Sequence, residues 1–252
     1  MFKQILVLSM IIGFLGGLVY LSFLFNENLI GVTFSDNQKI SKEYNLTRDF
    51  QKVKVDIDMD IELIQGNETR LVIEATSNFF NEATFRQSSK TLSFEKKSGF
   101  HANLNFSQGE TTRPKVLVFF KKLEEIETSG NVKLVARKLE TENLNIFYKG
   151  NGSIIINEFT GKKLGVVNDG TGFVNVGGKT ENLSLNSVNK GYSNLQELDS
   201  LKTTATLTNI GNAHVRAKNT LFTNITGSGE LVYSGSPQIT SAQGSNLKLK
   251  QE

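Results

Sequence analysis

The feature that most constrains this chain is a glycine corner that returns about every 20 residues. In LNIFYKGNGSIIINEFTGKKLGVVNDGTGFVNV, Leu144 to Val176, two apolar residues alternate with polar ones and a Gly-x-Gly corner follows at Gly150. Two more alternating apolar residues come next, and the same order returns at Gly170. Anchored on its first residue, the corner falls at Gly130, Gly150, Gly170, Asn189, Gly211, Gly227 and Gly244, spaced 20, 20, 19, 22, 16 and 17. Asn189 fits the series because Asn is the usual substitute for Gly where φ is positive.

Four and six residues past the anchors stand pairs such as Ile154/Ile156, Val174/Val176 and Val215/Ala217, and only Ser193 breaks the apolar pattern. Six and four residues ahead stand Leu144/Ile146, Leu164/Val166, Leu183/Leu185 and Ala205/Leu207. Period-2 alternation on both sides of a corner predicts two half-buried strands meeting at a bend. A unit this short cannot bury its own apolar face, so it must stack on copies of itself. The expectation is an all-β solenoid of about seven rungs. With strands about 4.8 Å apart, it would be a rod on the order of 30 Å long.

Composition narrows the function classes. A net charge of +3, with no Lys/Arg cluster in the repeats, gives no nucleic-acid surface. The absence of Cys excludes disulfides, thiolate metal sites and cysteine nucleophiles. Two Pro against 22 Gly suit a turn-rich β protein.

The amino-terminal part reads differently. Ile5 to Phe25 is an uncharged run of 21 residues preceded by Lys3. As a helix it would span about 31 Å, enough to cross a bilayer. No small-x-small cleavage site precedes Asn26, so residues 1–25 are expected to be an uncleaved signal anchor, a single transmembrane helix. The positive-inside rule then places the rest outside the cytoplasm, at the cell envelope. Residues 26–49 read as a polar tether and 50–252 as one β-rich domain. Within that domain Val53 to Leu63 alternates without a gap and reads as one long strand. Further strands are expected at Leu71 to Ala75 and at Thr91 to Phe94, and a protruding hairpin or loop over Lys96 to Pro114.

The order KVKVDIDMDIELIQGNETRLVIEAT, TLSF, PKVLVFFKKLEEIETSGNVKL resembles the bacterial head GIN domain family. The G-x-G corners and the closing GSGELVYSGSPQI, with Tyr233, Gly235 and Pro237, are similar to its C-terminal repeats. That family is described as a putative auto-transporter adhesin head and is a domain of unknown function. The resemblance implies a right-handed, single-stranded parallel β-helix in envelope or secreted proteins, with no catalytic residue, cofactor or metal. Asn189 in place of the corner Gly, and the looser spacing from Leu183 to Leu195, depart from the pattern.

Candidate chemistry is thin. His101 and His214 lie far apart in sequence and read as exposed structural residues. Asp56, Asp58 and Asp60 would line one face of a straight strand, which does not converge oxygens on a cation. Glu124, Glu125 and Glu127 beside Lys121 and Lys122 read as a charged cap. The rival class is a polysaccharide lyase or hydrolase on a β-helix, which needs clustered carboxylates on one outward ladder. The repeats contain no Asp-Asp pair, and their corners lack the helix that a dinucleotide fingerprint requires.

One outward ladder is unusual for a protein that is 21% charged. Five and three residues ahead of the anchors stand Asn145/Phe147, Gly165/Val167, Ser184/Asn186, Thr206/Thr208 and Phe222/Asn224, none of them charged. Two roles fit: side-chain ladders that bond along the stack, or a contact surface for a glycan, a protein ligand or a second rod. The expected function is a non-enzymatic, adhesin-like envelope binding or scaffold module. Its partners are the membrane at the anchor and a glycan, a protein or another copy at that face.

Overall fold

The computed structural model describes residues 30–34, 39–97, 102–106, 113–242 and 249–251. The expected membrane helix and Gly244 lie outside these residues. Among the described residues, no helix is long and apolar enough to cross a membrane.

Two units are present. In the smaller one, Ile30–Phe34 runs parallel to Ala102–Phe106. This corrects two expectations. The tether contains a strand, and within the expected hairpin or loop Ala102–Phe106 is a strand whose described partner is that one.

The larger unit, residues 38–96 and 112–252, is an all-β solenoid of about six turns rather than seven. Its regular part is built from Asn143–Tyr148, Ser153–Asn168, Phe173–Ser187, Tyr192–Leu207 and Asn212–Ile225, each lying parallel on its neighbour. The 20-residue period sets the register: Leu144 lies opposite Leu164, which lies opposite Leu183. On the other side of the corner Ile154 lies opposite Val174. Like side chains therefore stack on like, and the apolar half of each alternation forms one continuous core. Between the two sides the strands bend at bulges, where the register slips between Ile156 and Phe159 and between Asn175 and Gly178.

The Val53 to Leu63 run is not one strand. It divides into Lys52–Asp56 and Met59–Gln65, with a corner at Ile57 and Asp58. Ser129 and Asn131 of the next corner stack on that corner and bond Asp56 and Asp58. The inward residues on its two sides, Val55 and Met59, are four apart, so the inward parity is unchanged and the alternation passes through it unmarked.

The amino-terminal end of the stack is closed by strands of opposite direction. Arg70–Thr76 lies antiparallel to Lys115–Phe120, Lys39–Asn45 antiparallel to Arg70–Thr76, and Ala83–Gln87 antiparallel to Thr91–Lys96. A short helix, Ser77–Glu82, is capped by Thr76, whose hydroxyl accepts from the Phe79 N–H. Tyr44, Phe79, Phe80 and Phe85 pack over the core there, with Phe85 edge-on to the buried Phe94 at 5.9 Å. A stack must end on something other than another rung, and this cluster is that end. Lys39–Asn45 is a second strand inside the expected tether, almost wholly exposed.

Stacking explains the corner glycines. A Cβ on Gly150 would lie 2.0 Å from the Gly130 carbonyl oxygen, and one on Gly170 would lie 2.3 Å from that of Gly150. The backbones approach too closely for any side chain. Positive φ is the lesser reason. Among the described corners it occurs at Gly130 (φ 78°) and Asn209 (φ 56°), not at Asn189.

Asn209, not Gly211, begins the fifth corner. Leu207 lies opposite Ser187 and Asn212 opposite Tyr192, which sets Asn209 on Asn189 and Gly211 on Gly191. The apparent spacing of 22 then 16 thus becomes 20 then 18, counted from Asn189 to Asn209 to Gly227.

The inward residue just ahead of each corner forms its own column: Thr128, Tyr148, Asn168, Ser187, Leu207 and Ile225. Tyr148 is fully buried, and its hydroxyl ends against Gly172 without a well-placed hydrogen-bond partner. Desolvation pushes this phenol up to about 12. An unfolded tyrosine ionises near pH 10. Between these values the unfolded chain has released a proton that the folded chain still holds, so stability contributed below pH ~10 is lost as pH rises toward ~12. Tyr148→Phe should unfold less steeply with pH than the parent across that window. Equal pH slopes in denaturant titrations would refute this.

Candidate ligand-contact faces

The uncharged ladder lies on the strand ahead of each corner, and the stack resolves it into two lanes. The outer lane is Asn145, Gly165, Ser184, Thr204 and Phe222, and the lane nearer the corner is Phe147, Val167, Asn186, Thr206 and Asn224. Thr204 takes the place that sequence spacing gave to Thr206, and Thr206 that of Thr208. Thr208 sits in the corner itself, because the anchor is Asn209. Asn145, Ser184, Thr204 and Phe222 are exposed, and the second lane is half-buried.

The charge boundary is sharp. One rung earlier the same lanes carry Glu125 and Glu127, which clamp Lys52 of the preceding rung at 2.7 and 2.6 Å. Hydrogen bonds to Glu125 and then Glu127 hold the Lys52 ammonium above the usual lysine range. These carboxylates pair between rungs rather than forming a cap. Beyond them the face is neutral for the length of the regular stack.

The ladder does not bond along itself. Among the described residues, Asn145, Ser184, Asn186, Thr204, Thr206 and Asn224 make no side-chain hydrogen bond to a neighbouring rung, and Asn186 Oδ1 is buried without a partner.

A second neutral face, one that sequence reasoning missed, lies just past the corner. Phe173 lies opposite Tyr192, and Tyr192 opposite Asn212; beside them Asn175 lies opposite Asn194, and Asn194 opposite His214. Phe173 is 40% and Tyr192 37% exposed, large values for aromatic rings on a sheet. His214 meets Tyr192 edge-to-face at 5.4 Å. The signal was present in the sequence: both rings stand three residues past their anchors, Gly170 and Asn189.

Tyr192 is held from inside the solenoid. Asn168, buried in the column ahead of the corner, donates from Nδ2 to the Tyr192 carbonyl oxygen at 3.3 Å and to Ser193 Oγ at 3.1 Å. Its Oδ1 accepts from the Gly170 N–H at 3.3 Å. Ser193, which broke the apolar pattern, is the hydroxyl that this buried amide requires.

The bend opposite the corners is charged. A groove of about 880 Å³ runs along it, with Lys122, Glu142, Lys162 and Glu181 on successive rungs. Lys162 pairs with Glu142 at 2.7 Å, and Lys218 with Asp199 at 2.8 Å. Lys162, then Lys122, holds the Glu142 carboxyl below its ordinary range. Both pairs bridge neighbouring rungs.

The acidic residues singled out by sequence do not converge. Asp60 pairs with Arg113 at 2.8 Å, while Asp56 and Asp58 serve the next corner. Among the described residues, no group of three or more His, Asp or Glu is placed to hold a metal. His101 lies outside them.

A family model described as "Putative auto-transporter adhesin, head GIN domain" matches residues 49–237. No curated protein matches the chain. Among solved structures, a putative adhesin from Bacteroides fragilis superposes with a TM-score of 0.71 at 22% identity, covering 87% of this chain and 96% of its own. A putative lipid binding protein from Parabacteroides distasonis gives 0.65 at 18%, covering 88% and 97%. A putative adhesin from Parabacteroides merdae gives 0.62 at 16%, covering 87% and 96%. At these identities the likeness shows the fold.

Proposed function

We propose, from the premise that this chain belongs to the head GIN domain family of putative auto-transporter adhesins, that it is a non-enzymatic binding module acting outside the cytoplasm. Its contact surface is the neutral face from Asn145 to Asn224, and its partner is uncharged: a glycan, or the same face of a second copy. The run from Ile5 to Phe25 would hold the module to the membrane as an uncleaved anchor, in which case the mature chain begins at Met1 or Phe2.

The observation that carries this reading is the charge boundary at Asn145. The carboxylates that occupy these two lanes one rung earlier are consumed by ion pairs to Lys52, whereas the amides and hydroxyls that follow make no side-chain bond to a neighbouring rung. Unpaired neutral donors and acceptors around Phe147, Val167 and Phe222 suit a neutral hydroxylated or amide-bearing partner.

Lysine at Asn145, Ser184 and Thr204 together tests it. The three positions are exposed, so stability should change by about 0.5 kcal/mol or less at each. Binding on a glycan array, or self-association in sedimentation, should fall at least about tenfold. A folded triple variant that binds as well as its parent removes the face from consideration.

A further inference from the structure

The structure assigns a second binding site, for a neutral saccharide, to the aromatic and amide ladders just past the corner. This deepens the reading of a binding module by naming a ligand class, and it uses a different surface. Phe173 and Tyr192 occupy equivalent positions on adjacent rungs, whose strands stand about 4.8 Å apart, so both rings project from one face of the stack. Two residues on, Asn175 and Asn194 form a parallel lane of amides on the same face, which His214 continues beside Tyr192.

A pyranose ring offers a patch of C–H groups on its faces and hydroxyls around its edge. Aromatic rings take the first and amides the second. The charges around the patch also fit a neutral ligand: Lys133 stands two rungs before Phe173 and Glu230 lies beyond Asn212, with no Lys, Arg, Asp or Glu between them on either lane. An anionic or cationic chain would meet one of those ends unfavourably, whereas a neutral one meets neither.

The Tyr192 backbone does not need ligand to be set in place. Asn168 binds its carbonyl from the interior, so the platform is held before any ligand arrives.

The test is an NMR titration of the full chain with neutral hexasaccharides, namely cellohexaose, chitohexaose and mannohexaose, each to about 10 mM, where weak platform binding is still read. Ring signals of Phe173 and Tyr192 should shift with at least one of them. Phe173→Ala and Tyr192→Ala should each weaken that binding about tenfold without lowering the melting temperature, and Tyr192→Phe should retain it. No shift with any of the three sugars overturns the assignment. So do shifts confined to Asn145 and Ser184 that survive both alanine variants, although that outcome supports the neutral face ahead of the corner. Binding lost in the alanine variants but kept in the triple lysine variant supports the site past the corner and counts against the face ahead of it, so the two proposals fail separately.

Discussion

Gly172→Ala should destabilise the solenoid by about 3 kcal/mol, lowering the melting temperature by roughly 6–12 °C. The added methyl would lie 2.0 Å from the Gly152 carbonyl oxygen and 2.0 Å from the Tyr148 hydroxyl. Neither neighbour can yield. The carbonyl belongs to the stacked backbone, and the phenol is enclosed in the core. Gly66→Ala is the control, because nothing lies within 4 Å of a Cβ there. Adding Tyr148→Leu to Gly172→Ala should recover part of the loss by removing one of the two collisions. If the two alanine variants melt together, close approach in the stack is not what selects glycine at this corner.

Asn168→Leu should cost a similar amount, about 3 kcal/mol, by a different route. It keeps the number and branching of side-chain heavy atoms but strips partners from the Tyr192 carbonyl, the Ser193 hydroxyl and the Gly170 N–H, all inside the stack. Adding Ser193→Val replaces one of those stranded groups with the apolar residue that the repeat pattern calls for. The double variant should therefore lose less than the sum of the singles, with a coupling of about 1 kcal/mol. Strict additivity in chemical denaturation would mean that the Asn168–Ser193 bond carries no weight.

The architecture was legible because the solenoid writes itself in side-chain parity, and parity survives reading one residue at a time. What parity does not record is a corner that leaves the inward residues on its two sides an even number of positions apart. The bend at Ile57 and Asp58 keeps inward residues inward, so Val53 to Leu63 looked unbroken. Residue identity misled at the fifth corner. Close backbone approach keeps glycine at the third corner position from Gly152 to Gly229, while the first position also accepts Asn, so at such a corner the conspicuous glycine is the third residue. Asn189-x-Gly191 had already shown the form that Asn209-x-Gly211 repeats. The strand at Lys39–Asn45 left no pattern to find. It lies at a sheet edge with nearly every residue in solvent, and no face of it selects apolar side chains.

The faces were half legible. Neutrality ahead of the corner is visible in composition alone, but its lanes depend on the true anchor, which exchanged Thr208 for Thr204. The meaning of Ser193 could not be read from sequence, because its partner Asn168 lies 25 residues away across a register that only the stack supplies.

The antiparallel strands and aromatic cluster at the amino-terminal end make this solenoid a filament with a fixed start. Each turn beyond that start touches only the turns beside it. A tandem duplication or deletion of one 20-residue segment between Gly150 and Gly170 would renew every stacking partner without disturbing the closed end. Length is therefore a heritable quantity here that can change by whole steps, and the two neutral faces would lengthen or shorten with it as a ruler gains or loses divisions.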